Sequence, residues 1–349
     1  AGGAVLGTLG DAYANPIMID ALILSREGTT ATEKPPQYYA PALPSIDDLA
    51  QMERWESLVR AYIGVGEILQ GITLQPSGSN GFEVKSGADS IAVIERPQTK
   101  TFEAQIPLVL SWAELRHERA TEIMAQIDPQ YAFWSSIVYM HPDRTRRTFE
   151  LINMMLQFCV YVEMRFKQAL ACWRPVDYNA QVQPMITTPG HGSFPSGHAT
   201  QAHAVAHLLK YLLKLNPTVN TGKNNAAGMI IDQLDRQAAR IATNRVVAGV
   251  HFPVDSIAGR MLGVALSEYF VGCCMPSTAT LKFMTRKLDA SKIDADSTME
   301  FNPFDTKQSL DQAPGAGIYS RVQGSNITPS AMMGYLWYKA REEWKIRFP

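Results

Sequence analysis

Several features that would set this chain apart from ordinary globular proteins are missing. Its 349 residues include four cysteines, Cys159, Cys172, Cys273 and Cys274. The last two are adjacent and awkward partners for each other, so no disulfide framework is encoded, and a reducing compartment is favoured. Charge of one sign is not in excess: 32 Lys and Arg stand against 33 Asp and Glu, a formal net charge of −1. That balance excludes the basic surface expected of a nucleic-acid partner. Long apolar runs are also lacking. The best of them, 151–162 and 205–215, are interrupted by Asn, Gln, His or Lys, so no membrane span is expected. Residue 1 is Ala, not Met, which leaves open a removed leader. A soluble protein, cytoplasmic or secreted or periplasmic after leader removal, fits equally.

What is present is helical periodicity, with few strand signals and no internal repeat. Apolar spacing, caps and prolines predict helices over 16–25, 45–69, 104–127, 129–139, 144–172, 197–215, 225–248, 254–271 and 329–347. Residues 1–44 read as irregular, with a Pro-rich piece at 34–39. Residues 71–102 read as a long Gly-, Ser- and Pro-rich loop with at most a short hairpin around 81–85. Residues 276–328 read as an extended excursion wrapping the core. The expected fold class is therefore all-α, a helix bundle with long irregular excursions, in a single domain over 1–349. Within it, helices and loops at 1–143 precede a helical core at 144–275 and a wrapping segment at 276–349. Such excursions are suited to touching a second copy, so a homo-oligomer stays open.

The densest local signal is Phe194-Pro195-Ser196-Gly197-His198-Ala199-Thr200. Ser196 stands at the N-cap of an amphipathic helix whose first N–H groups lack partners and whose dipole presents its positive end. Gly197 lets an oxyanion approach the main chain, and His198 stands beside it. Taken alone, this stretch reads first as a capped core helix with a chance histidine. A second element is Lys167, seven residues before Arg174-Pro175, which puts both cations on one face near a helix C-terminus. Dipole complementarity alone would place cations there. The third is Arg245, followed by His251 and then Asp255 four residues on. Gly249 and Pro253 set His251 at a helix junction, where Asp255 is able to fix its tautomer. Together these elements make a cage for a tetrahedral oxyanion, with two histidines for proton transfer and axial attack.

These residues resemble the superfamily of vanadium-dependent haloperoxidases and phosphatidic-acid-phosphatase-type acid phosphatases, whose pattern is K-x6-RP, PSGH and SR-x5-H-x3-D. All three motifs occur in order and spacing, with Asn244 in place of the Ser. They cover 167–260, about a quarter of the chain. The resemblance implies that Lys167, Arg174, Arg245, Ser196 and the Gly197 amide hold the oxyanion's equatorial oxygens. His251 would be the axial vanadium ligand or, in a phosphatase, the phosphorylated nucleophile. His198 would be the acid–base group, and Asp255 would orient His251.

Within the superfamily, the long stretch ahead of the first motif, Trp173 before Arg174, and Ala199-Thr200 after His198 look like the haloperoxidases. His191, seven residues before His198, matches the histidine that bromoperoxidases carry where fungal chloroperoxidases have phenylalanine. The expectation is a vanadate-dependent haloperoxidase that oxidises bromide or iodide with hydrogen peroxide and halogenates an organic acceptor. The alternative is an acid phosphatase working through a phosphohistidine at His251. Other groupings carry less. Glu114-x-x-His117 lacks the second copy that a di-iron bundle needs. His203 and His207 lack a third metal ligand. Met154, Met155, Phe158 and Tyr161 make a core stripe.

Overall fold

The computed structural model describes residues 16–29, 42–127, 130–215, 226–276, 281–293 and 318–348. The chain divides into two compact units, 1–51 and 52–349. In the first, helix α1, Pro16–Thr29, is exposed along its length. The Pro-rich 34–39 lies outside the described residues.

The second unit holds helices α2 (Ser57–Gln70), α3 (Thr99–Trp112), α4 (Arg116–Ala125), α5 (Tyr131–Val138), α6 (Arg146–Leu170), α7 (Gly197–Leu212), α8 (Ala226–Val247), α9 (Pro253–Cys274) and α10 (Ala331–Glu342). The expected 104–127 helix is two helices joined by a 3-10 turn at Ala113–Leu115. The expected 45–69 helix is likewise a 3-10 turn, Leu49–Arg54, followed by α2.

The all-α expectation is overturned by a five-stranded mixed sheet in the order β1 (Thr73–Ser77), β2 (Gly81–Ser86), β3 (Asp89–Glu95), β4 (Lys282–Asp289), β5 (Tyr319–Asn326). Strands β1, β2 and β3 form an antiparallel meander within the supposed 71–102 loop. Its turns carry Gly78 and Gly87 at positive φ, a conformation glycine enters without steric cost. The 276–328 excursion supplies the other two strands. β4 lies parallel to β3, pairing Ala92 with Arg286 and Ile94 with Leu288, and β5 closes the edge antiparallel. Central β3 buries Ile91, Ala92, Val93 and Ile94 in sequence, as a strand covered on both faces does. Arg286 on β4 is satisfied by Glu268 of α9.

The core lies where α6, α7 and α9 meet. α6 begins where Glu343 accepts hydrogen bonds from the backbone N–H groups of Arg147 (2.7 Å) and Thr148 (3.0 Å), a cap from the far end of the chain. It ends at Ala171 in the left-handed conformation. α9 packs against α7 through Gly259 and Gly263. A Cβ on Gly259 would lie 2.6 Å from the Ser196 carbonyl oxygen, and one on Gly263 would overlap the Thr200 carbonyl. Among the described helices only α9 is long and apolar enough to cross a bilayer, and 83% of its most apolar window is buried inside the protein. That qualifies the reading that no segment reaches that length and apolarity, while its burial is what a core helix shows.

Candidate active site

Three helix ends converge on one cavity of about 270 Å³. α6 brings Lys167 in its last turn, α7 brings Gly197 and His198 in its first, and the α8–α9 junction brings Arg245 and His251. Arg174 and His191 border the same cavity. Ser196 and Asp255 stand behind it, fully buried. The Ser196 hydroxyl caps α7 by accepting from the Ala199 N–H at 3.4 Å, and the Ser196 N–H donates to the Asp255 carbonyl at 2.9 Å. Two motifs some sixty residues apart are thereby tied at their backbones.

His251 sits where Gly249, at φ +80, breaks α8 and Pro253 opens α9. Its Nδ1 lies 2.9 Å from Asp255 Oδ2, which also accepts the Phe252 N–H at 2.9 Å. A carboxylate on Nδ1 fixes the proton there and leaves Nε2 as the bare lone pair. Arg174 Nη1 approaches that lone pair at 3.3 Å. Burial first, then Arg174 and Lys167, push His251 well below the ordinary histidine range, so the ring is neutral. Burial pushes Asp255 the other way, up to about 7.

The cations differ in how fully they are occupied. Lys167 donates to the carbonyls of Gly192 (3.1 Å), Ser193 (3.0 Å) and Pro195 (2.6 Å), using all three ammonium hydrogens. To bind an anion it must exchange one of them. Burial brings it down to about 8. Arg174 is held by the carbonyls of His191, Val250 and Gly192, and its Nη2 lies 3.1 Å from His191 Nδ1. Arg245 is the exception. Nη2 donates to the Ile123 carbonyl at 2.9 Å and, at 3.3 Å, to Gln126 Oε1, while Nε and Nη1 are buried with no partner. Burial lowers this guanidinium to about 10. Two orphaned, buried cationic donors are costly unless an anion completes them.

His198 Nε2 lies 3.0 Å from the Gln126 carbonyl, which only accepts, so this nitrogen carries the proton of the neutral ring. Burial, then Arg245, lowers His198 to about 3. Gln126 is a residue the sequence reading missed. Besides receiving His198 it accepts from Asn244 Nδ2 at 2.9 Å. Asn244 also accepts from Arg119 at 2.9 Å, so its amide holds the Gln126 side chain whose Oε1 accepts from Arg245. A second missed residue is Glu163, one helical turn before Lys167 and lining the cavity beside Gln201. The four-residue spacing to Lys167 was its only signal. Glu114 and His117 lie exposed on the surface.

Residues 149–275 match the PAP2 superfamily, so the chain carries a PAP2 superfamily domain that includes all three motifs. No curated protein matches it. Among solved structures, one described as the first transmembrane PAP2 type phosphatidylglycerolphosphate phosphatase from Bacillus subtilis is 18% identical, over 48% of this chain and 93% of that one. Its TM-score of 0.29 is too low to transfer fold or function.

Proposed function

We propose that this chain is a hydrolase of phosphate monoesters that acts through a phosphohistidine on His251. The observation that carries the reading is the pair of unpartnered, buried N–H groups of Arg245 facing a site that also holds a neutral, carboxylate-backed His251. The first calls for an oxyanion, and the second supplies a nucleophile at the border of the same cavity.

In this reading Arg245, Arg174, the Ser196 hydroxyl and the α7 amides hold the phosphoryl oxygens, with Lys167 released from one of its carbonyls. His251 Nε2 attacks phosphorus, the P–Nε2 bond forms, and the ester P–O bond breaks. The leaving oxygen takes a proton from His198. Asp255 stabilises the charge that develops on the ring. Water then attacks the phosphohistidine, giving its proton back to His198, and phosphate leaves. His198 is neutral among these cations, so the proton it passes on comes with a monoanionic ester, whose charge raises the proton affinity of the ring.

A second reading is favoured by His191, whose Nδ1 sits 3.1 Å from Arg174 at the cavity. This is the position where the resemblance to bromoperoxidases implies a halide-selecting histidine. The same residues fit vanadate: His251 Nε2 would bind it, and Arg245, Arg174, Lys167, Ser196 and the Gly197 amide would hold its oxygens. Bound vanadate would supply Lewis acidity toward hydrogen peroxide, with bromide or iodide as the reductant. His198 would take the peroxide proton.

One paired assay separates the two. Protein stripped of metal and phosphate is given a phosphate monoester, or orthovanadate with hydrogen peroxide, bromide and a phenolic dye. Ester hydrolysis inhibited by vanadate and abolished in His251→Ala is the expected result. Vanadate-dependent dye bromination without hydrolysis would replace the phosphatase reading with the haloperoxidase. Neither activity would defeat both.

A further inference from the structure

Glu163 is an acid in a site built for anions. It is buried, on α6, and borders the cavity with Lys167, Arg245 and His251. Its Oε1 accepts from Gln201 Nε2 at 2.8 Å. Oε2 has neither solvent nor a hydrogen-bond partner. Pairing with Lys167 does not explain it, because the three ammonium hydrogens go to carbonyls. The carboxyl also lies against the first residue of α7: a Cβ on Gly197 would stand 2.7 Å from Oε1. A methyl group at 197 would therefore displace the Glu163 carboxyl.

As a carboxylate, Glu163 would present an unpaired, buried negative oxygen to an incoming anion, costly twice over. As a carboxylic acid, the same atom becomes a donor and the site gains a hydrogen bond. We propose that Glu163 works as an uncharged carboxylic acid whose Oε2–H donates a hydrogen bond to an oxygen of the bound oxyanion. The inference rests on the oxyanion-site reading and holds for phosphate and vanadate alike. Burial raises the proton affinity of Glu163, opposed by Lys167 and by the Gln201 hydrogen bond. The ionisable groups around it are Lys167 and Cys159 on its own helix, His198 on α7, and Arg174, Arg245 and His251 on the cavity wall. An anion in the cage adds negative charge and favours the protonated carboxyl further.

The test is tungstate affinity, measured calorimetrically on the full chain between about pH 6 and 9, where tungstate keeps a constant charge and the linked protons belong to the protein. The wild type should bind progressively more weakly as pH rises. Glu163→Gln keeps the shape and a donor and cannot ionise. Its affinity should fall less steeply, by about one power of ten per pH unit over the range where Glu163 titrates. The difference separates Glu163 from Lys167, which loses charge in both proteins. Gln201→Leu removes the donor that favours the carboxylate, so its loss of affinity should move to higher pH. Infrared difference spectra should show a carboxylic acid C=O band in the tungstate complex that is absent from Glu163→Gln. Parallel pH dependence in wild type and Glu163→Gln, or no such band, would overturn the role of Glu163 while leaving the oxyanion site intact. If tungstate does not bind the wild type, the oxyanion reading falls and this one with it.

Discussion

Arg245 concentrates the conflict between stability and function in one side chain. It is fully buried, braced on one edge by Gln126 and Ile123, and left with two donors unmet. A buried cation lacking its partner destabilises the native state, and active sites hold such strain when a ligand relieves it. Arg245→Met fills the volume without the charge. It should lower kcat/KM for a phosphate monoester by about 10²- to 10³-fold, the usual loss for one preorganised donor to a developing oxyanion. The same variant should melt higher than the wild type by at least about 2 °C. Lower activity with a lower melting temperature would mean that Arg245 is structural. His198 is the other side chain whose charge state governs the reaction. Burial and Arg245 hold it down to about 3, so it is neutral at working pH and its catalytic proton arrives with the substrate. Productive binding then selects the monoanionic ester. Above the second ionisation of the phosphate, near about pH 6, kcat/KM should fall about tenfold per pH unit. A flat profile to pH 8 would show that His198 brings its own proton.

At the scale of elements, the helices that position the site were legible and the sheet was not. α7 has a Ser cap, a preceding proline and an amphipathic run, and α9 opens on Pro253 with Asp255 in its first turn. Caps and prolines of this kind are local, so one stretch of sequence contains them. β5 has the burial pattern of an edge strand, with one buried residue in eight, and leaves no hydrophobic alternation to read. β4 and β3 are neighbours only because the fold joins segments nearly two hundred residues apart, and no local window contains that pairing. Gln126 escaped for the same reason, since a backbone carbonyl that receives His198 has no sequence signature. The α7–α9 contact was equally hidden, although its glycines are visible: Gly263 faces the Thr200 carbonyl with no room for a methyl group. Gly263→Ala must separate the two helices. It should cost about 1–3 kcal/mol in urea unfolding, as overpacking does, and lower kcat by displacing the α7 amides from the cage. An unchanged unfolding midpoint would mean the helices are free to slide apart there.

Across the molecule, α7 joins the active site to the sheet. Its first turn carries the cage amides and His198, while further along His207 lies in the field of Lys210, of Arg286 on β4 and of Arg321 on β5. Burial first, then these cations, lowers His207 to about 3, and its Nε2 is buried without a partner. The native state therefore keeps the ring neutral while the unfolded chain protonates it below about 6.5. The stabilisation is full above that pH. It is lost as pH falls toward 3, at up to about 1.4 kcal/mol per pH unit. Glutamine at this position binds no proton in either state, and the carboxyls that titrate in the same window are common to both proteins. Between about pH 6.5 and 5 the wild type should lose on the order of 2 kcal/mol more unfolding free energy than His207→Gln, with equal activity at neutral pH. Urea titrations at the two pH values measure the difference directly. Equal losses would place the acid sensitivity elsewhere, in the cage histidines. A gap of the expected size would locate it where the helix core meets the arginines of the sheet, an interface that an all-helical bundle would not contain.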